Sequence, residues 1–147
     1  MTIHFQPASE QDFERLLALR LATMRPSLER LGRFDPERAR QRFRAAYDPD
    51  HTRLIYAEDR FVGCVTVRPE PERLAWVEHF YVGLEHQGRG LGARILACIT
   101  AAADRSGTTL RLEVLRESDA NRFYARHGFA ETHRGQWDVY YSRPPAS

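Results

Sequence analysis

Three alternate glycines, Gly88, Gly90 and Gly92, separate an aromatic and β-branched run, Leu74 to Val82, from an apolar helical pattern that begins at Leu91. This strand–turn–helix junction is the feature that most narrows the possible folds. Glycine lets the backbone approach a ligand closely. The first N–H groups of a helix have no partners inside it, and the helix dipole adds partial positive charge there. Arg89 and Arg94 add full charges beside the turn. Phosphate or pyrophosphate is the natural occupant; the plainer alternative is a turn that only needs positive φ. A Walker phosphate loop requires lysine, and all 22 basic residues are arginine. The same lack removes Schiff-base chemistry on a lysine. Gly88, Gly90 and Ala93 formally satisfy a dinucleotide fingerprint, but that motif belongs at the first strand of repeated βαβ units. Here three antiparallel-looking strands precede the turn and 55 residues follow it.

The rest of the chain supplies the order of elements. Thr2 to Gln6 alternates as a short strand, and Ser9 with Asp12 suggests a capping box. Phe13, Leu16, Leu17 and Leu21 predict a helix to about Met24, with Pro26 ending or kinking it. Asp35-Pro36 opens a second helix over Glu37 to Tyr47. Arg53 to Glu58 and Phe61 to Arg68 read as a hairpin, followed by a turn at Arg68-Pro69-Glu70-Pro71. Leu91, Ile95, Cys98, Ile99 and Ala102 form the expected stripe of the central helix, closed by Ser106-Gly107. Thr109 to Leu115 is a strand, and Ser118-Asp119 opens a helix ending by Gly128. Phe129 to Thr132 and Trp137 to Tyr141 pair around Arg134-Gly135, and the tail from Pro144 frays.

A chain of 147 residues predicts a single domain spanning 1–147. Its 42% apolar and 29% charged residues suit a soluble globule. A net charge of +2 from interspersed charges predicts no nucleic-acid footprint. The charge-free run Ile95 to Ala103 is about half of the ~20 residues a bilayer needs, so no membrane span is expected. With no leader pattern at the N-terminus, the expected location is cytoplasmic. Cys64 and Cys98 lie 34 apart without a CxxC motif and are expected as reduced, buried thiols. His4, His51, His86, His127 and His133 lack metal-ligand spacing, which predicts no metal.

Val82 through Leu96, with Gln-x-x-Gly-x-Gly over Gln87 to Gly92, resembles motif A of the GNAT superfamily of N-acetyltransferases. Ala120 to Phe129 reads A-x-x-F-Y-x-x-x-G-F and resembles motif B of the same family. Both stand in the usual order. The resemblance implies an α+β fold with α/β/α layers and a mixed sheet of about six or seven strands. Its implied order is strand, two helices, three strands, helix, strand, helix, two strands. It also implies an acyltransferase with acetyl-CoA as donor. The pyrophosphate would rest on the amides of Gln87, Gly88, Arg89, Gly90, Leu91, Gly92 and Ala93. The pantetheine arm would pair with the backbone of Phe80, Tyr81 and Val82. Family members often carry an asparagine ahead of the motif B helix; Glu117 or Ser118 stands there instead, and Asn121 lies one turn inside. Ser118 and Asn121 are therefore the candidate polar contacts to the cofactor.

Amine acetylation needs a neutral amine, a stabilised oxyanion and a proton for the leaving thiolate. By motif position Tyr124 supplies that proton; the bland alternative is a core aromatic. Glu78 is the candidate base, acting directly or through a water, and the alternative is an ion pair with an arginine. In a regular strand His79 faces away from Glu78 and reads as an interlayer histidine. The Arg38 to Arg44 stretch reads as a solvated helix face, or as a receiver of a 3′-phosphate or acidic partner. The acceptor side implied by the resemblance includes Met24, Arg25, Phe34, Trp137, Asp138 and Tyr140. The expected reaction acetylates a primary amine of a small molecule by direct attack in a ternary complex. A protein or peptide acceptor, a CoA-binding sensor without turnover, and a homodimer stand as alternatives to be tested.

Overall fold

Residues 2–146 are described in a computed structural model. Strand β1 (Ile3–Pro7) leads into helices α1 (Phe13–Arg30) and α2 (Pro36–Ala46). Strands β2 (Thr52–Ala57), β3 (Arg60–Glu70) and β4 (Leu74–Val82) follow. Helix α3 (Leu91–Ser106), strand β5 (Thr109–Leu115), helix α4 (Ala120–Arg126) and strands β6 (Ala130–Arg134) and β7 (Asp138–Arg143) complete the order. The seven strands form one mixed sheet, β1-β2-β3-β4-β5-β7-β6, in which β4 and β5 run parallel. This is the α+β class and element order expected from the sequence.

The chain divides into two compact units, one holding the residues up to Thr66 with His79–Leu91, the other Val67–Glu78 with everything from Gly92 onward. In the first, the α1 face Phe13, Leu16 and Leu17 packs with Phe43 of α2, Leu54 of β2, Cys64 of β3 and Tyr81 of β4. The i, i+3, i+4 spacing puts the three α1 residues on one stripe. Phe13 and Phe43 stack with ring centroids 5.4 Å apart. Burial of each such side chain contributes ~1.5–3 kcal/mol.

Pro26 neither ends nor breaks α1, which runs on to Arg30. The missing N–H costs one bond to the Ala22 carbonyl. The stop comes instead at Gly32, whose φ of +66° closes a Schellman motif. There the N–H of Gly32 donates to the Glu29 carbonyl at 3.0 Å, and that of Arg33 to Leu28 at 2.8 Å. Three residues on, the Asp35 carboxylate accepts the Arg38 N–H at 3.2 Å and caps α2.

In the second unit, α3 buries Ile95, Leu96, Ile99 and Ala103. Cys98 is exposed rather than buried, and Ala102 with it. A residue adjacent to Ile99 in sequence lies ~100° round the helix, past the edge of the buried stripe. Strand β5 buries Leu110, Leu112 and Val114, with Leu112 opposite Tyr141 and Val114 opposite Val139 of β7. The other face of this pair carries Arg111 and Glu113 opposite Ser142 and Tyr140. The turn after β3 also differs from expectation. The strand continues through Pro69, and Glu72 (φ +67°) and Arg73 (φ +57°) make the reversal. Among the described residues no helix is long and apolar enough to cross a membrane.

Candidate active site

Strand β4 has an irregular centre. Ala75 and Val77 are buried in strict alternation, but His79 adopts φ +48°. A left-handed residue inside a strand costs of order 1–3 kcal/mol. The alternation of burial continues past it, with Ala75, Val77 and Tyr81 buried and Trp76, Glu78, Phe80 and Val82 half-buried. The His79 ring meets Phe43 edge-on at 5.1 Å, and its Nδ1 lies 3.3 Å from the Tyr81 hydroxyl. The Arg20 guanidinium donates to the same hydroxyl. The Cys64 thiol donates to the His79 carbonyl at 3.3 Å, and burial pushes that thiol up to about 12.

The backbone at Tyr81 is held close to β3. A Cβ on Gly63 would collide with the Tyr81 carbonyl oxygen. Beyond it the N–H of Gly83 donates to the Val62 carbonyl at 2.8 Å. Gln87 turns back, and its amide donates to the Val82 carbonyl at 2.8 Å. The glycine turn then stands exposed from Gln87 to Gly90. Gly88 (φ +79°) and Gly90 (φ +75°) are left-handed, and no atom lies within 4 Å of a Cβ built on either. Packing thus leaves room at both, while the backbone shape demands glycine. A Cβ on Gly92 would make ordinary contact with Phe123, 3.6 Å away. Arg89 and Leu91 line a cavity of about 600 Å3 that also meets His86, Val62 and the β2–β3 turn.

Helix α4 carries Tyr124, 8% exposed, its ring edge-on to Phe123 (5.2 Å) and Phe129 (5.5 Å). The Ser118 hydroxyl accepts the Ala120 N–H at 3.1 Å. The Asn121 amide is spent within the β5–α4 loop. Its Nδ2 donates to the carbonyls of Ser118 (2.8 Å) and Leu115 (3.0 Å), and its Oδ1 accepts the Tyr141 hydroxyl at 2.8 Å. That asparagine fastens the loop to β7.

Glu78 sits in a two-pronged ion pair. Arg68 Nε donates to its Oε1 at 3.1 Å and Nη2 to its Oε2 at 3.2 Å. Arg68 also donates to Glu70 at 2.9 Å, and Glu70 accepts the Trp76 indole N–H at 3.2 Å. Trp76 pairs with Arg111 in the parallel ladder, so Glu78 and Glu113 each lie two residues further along. The Glu113 carboxyl is held above its ordinary range, first by desolvation and then by the Asp138 and Glu78 charges, against a lowering hydrogen bond from Tyr140. Tyr140 stacks on His133 with centroids 4.2 Å apart. Sequence reasoning misses Glu113. The alternation of Leu110, Leu112 and Val114 with Arg111 and Glu113 is the signal that puts it on the less buried face of β5. Among the described residues no group of three or more His, Cys, Asp or Glu side chains could hold a metal ion.

A family model described as an acetyltransferase (GNAT) domain matches residues 48–131. Among solved structures the chain is similar to the PaiA N-acetyltransferase from Thermoplasma acidophilum in complex with coenzyme A. Identity is 17%, the TM-score 0.78, and 98% of this chain and 99% of that chain are covered. It is similar to an acetyltransferase from Thermus thermophilus at 22% identity and a TM-score of 0.75, over 98% and 97% of the two chains. It also resembles N-acetylglutamate synthase from Neisseria gonorrhoeae complexed with coenzyme A and N-acetyl-glutamate. That match has 17% identity and a TM-score of 0.68, covering 100% of this chain and 36% of that one. At these identities the likeness is one of fold. No curated protein matches the chain by sequence. The family match spans more than half of the chain, which belongs to the GNAT acetyltransferase family and is an acyltransferase.

Proposed function

We propose that this protein transfers the acetyl group of acetyl-CoA to a primary amine of a small molecule, by direct attack in a ternary complex. The observation that carries the reading is the exposed turn at Gly88 and Gly90, left-handed and unobstructed, opening onto the start of α3. Such a cradle fits a pyrophosphate. The backbone amides of Gln87 to Ala93 hold it, and the strand backbone of Phe80, Tyr81 and Val82 takes the pantetheine arm. The bound cofactor supplies an activated acetyl thioester. Ser118 is the polar contact from the loop before α4, since Asn121 is committed to Leu115, Ser118 and Tyr141.

The chain's own groups manage charge and protons. The Tyr124 hydroxyl donates the proton that the departing sulfur needs. Positioning supplies much of the effect. Glu78, held in place by the Arg68 fork, attracts the ammonium form of the acceptor. Glu78 and the neighbouring Glu113 take the amine proton, directly or through a water. The upward shift of Glu113 moves it closer to a pKa suited to proton exchange near neutral pH. The Asp138 and Glu78 charges both act on the Glu113 carboxyl, which favours a cation beside it.

The test is thiol release with acetyl-CoA across amines, amino acids, polyamines, aminoglycosides and peptides. Turnover with a small amine is expected, and Tyr124→Phe should lower it by ~10²-fold with little change in CoA affinity. Turnover with peptides alone would transfer the reading to a protein acceptor. Tight acetyl-CoA binding with no release for any amine would make the protein a sensor.

A further inference from the structure

Strand β4 holds a left-handed residue, His79 (φ +48°), where glycine would be the undemanding choice. Such a shape persists only where the surroundings impose it, and it gathers at places where function needs a fixed backbone. Side chains impose it in part. The His79 ring packs edge-on to Phe43, and Arg20 and His79 Nδ1 converge on the Tyr81 hydroxyl. The rest comes from β3, through Cys64, which is 1% exposed. Its thiol donates to the His79 carbonyl at 3.3 Å. The Tyr81 main chain also hydrogen-bonds the thiol and pulls its pKa down, against the larger upward push of burial. Only a donor lowers a thiol in this way, and the one donor of a main chain is its N–H. The sulfur therefore joins the C=O of His79 to the N–H of Tyr81, two groups that point the same way along a strand. Burial keeps the thiol protonated, so it can give and accept at once. Gly63, next to Cys64, allows this close approach, because a Cβ there would collide with the Tyr81 carbonyl oxygen.

We propose that Cys64 is a positioning residue for the acetyl donor, its thiol fixing the Phe80–Tyr81 backbone in the shape that receives the pantetheine arm. The proposal rests on the acetyl-CoA reading, which gives that backbone its ligand. The competing role for a buried thiol is to fill space. Two pairs of variants separate the roles. Cys64→Thr and Cys64→Val have nearly the same shape and differ by a hydroxyl; Cys64→Ser and Cys64→Ala differ by the same group at smaller size. The hydroxyl members can bridge the two backbone groups, and the apolar members cannot. In each pair the hydroxyl member is expected to bind acetyl-CoA on the order of 10-fold more tightly, by equilibrium titration. A space-filling cysteine gives no such order, because a hydroxyl buried in an apolar core gains nothing over a methyl group. With the donor saturating, KM for the amine should be the same within a pair, since the defect lies on the donor side. Thermal midpoints show which members are folded, and one folded pair suffices. Equal acetyl-CoA affinity within that pair overturns the proposal and leaves the acetyltransferase reading standing. An amine KM that shifts as far as the donor affinity overturns it too, by revealing general damage. A wild-type protein that binds no acetyl-CoA sinks the reading itself, and the donor role of Cys64 falls with it.

Discussion

Gly63 carries more constraint than any glycine of the turn, because its missing side chain is filled by another strand. A methyl group there meets the Tyr81 carbonyl and has no way round backbone atoms. Gly63→Ala should therefore push β4 away from β3, at a cost of ~1–3 kcal/mol or more. A urea midpoint shift will measure it, and acetyl-CoA affinity should fall with it. A variant of unchanged midpoint and affinity would mean that the Tyr81 backbone has slack. The two cysteines differ as sharply. Cys64 is 1% exposed with its thiol pushed up to about 12, whereas Cys98 lies on the outer side of α3. Iodoacetamide is thus expected to label Cys98 alone in the native protein and both after denaturation, as read by peptide mass.

The end of α3 is tied to the chain's last strand by one carboxylate. Asp104 accepts from both arms of Arg143, at 2.9 and 3.2 Å, and from the Ala146 N–H at 2.8 Å. The Arg143 hydrogen bonds, then that of Ala146, hold its pKa below the ordinary carboxylate value. A depressed folded value stabilises the fold above the unfolded pKa of ~3.9 and stops doing so as pH falls through the folded one. Asp104→Asn should lower the melting temperature at pH 7, and its deficit should vanish in strong acid. A deficit that persists at low pH would point to shape and not charge. Elements of this kind are largely legible in the sequence, because strands and helices here bury one face at regular spacing. Leu110, Leu112 and Val114 advertise β5 without help. What escapes are positions governed by neighbours. Pro26 stays helical because the stop signal is Gly32, and Cys98 falls outside a stripe whose true axis runs through Ile99. Pro69 remains in β3 because Glu72 and Arg73 accept left-handed geometry. At the candidate site, the glycine turn follows from local pattern, whereas the Arg68–Glu78 fork and the company of Glu113 depend on which strands lie side by side.

At the scale of the whole molecule, all 22 basic side chains are guanidinium groups. An acetyl donor meets no lysine amine anywhere along these 147 residues. Prolonged incubation with excess acetyl-CoA should therefore leave no hydroxylamine-stable acetyl group on any side chain, as intact mass will register. Stable acetylation within the chain would require another nucleophile. The junction of α1 and α2 bears on how such a protein can change. A left-handed residue fixes one end of it and an aspartate locks the other, three positions later. That stretch has no spare length, and inserting even one residue would undo a lock at one end. Change at this junction therefore comes by exchanging side chains on a fixed frame, not by altering the length of the loop.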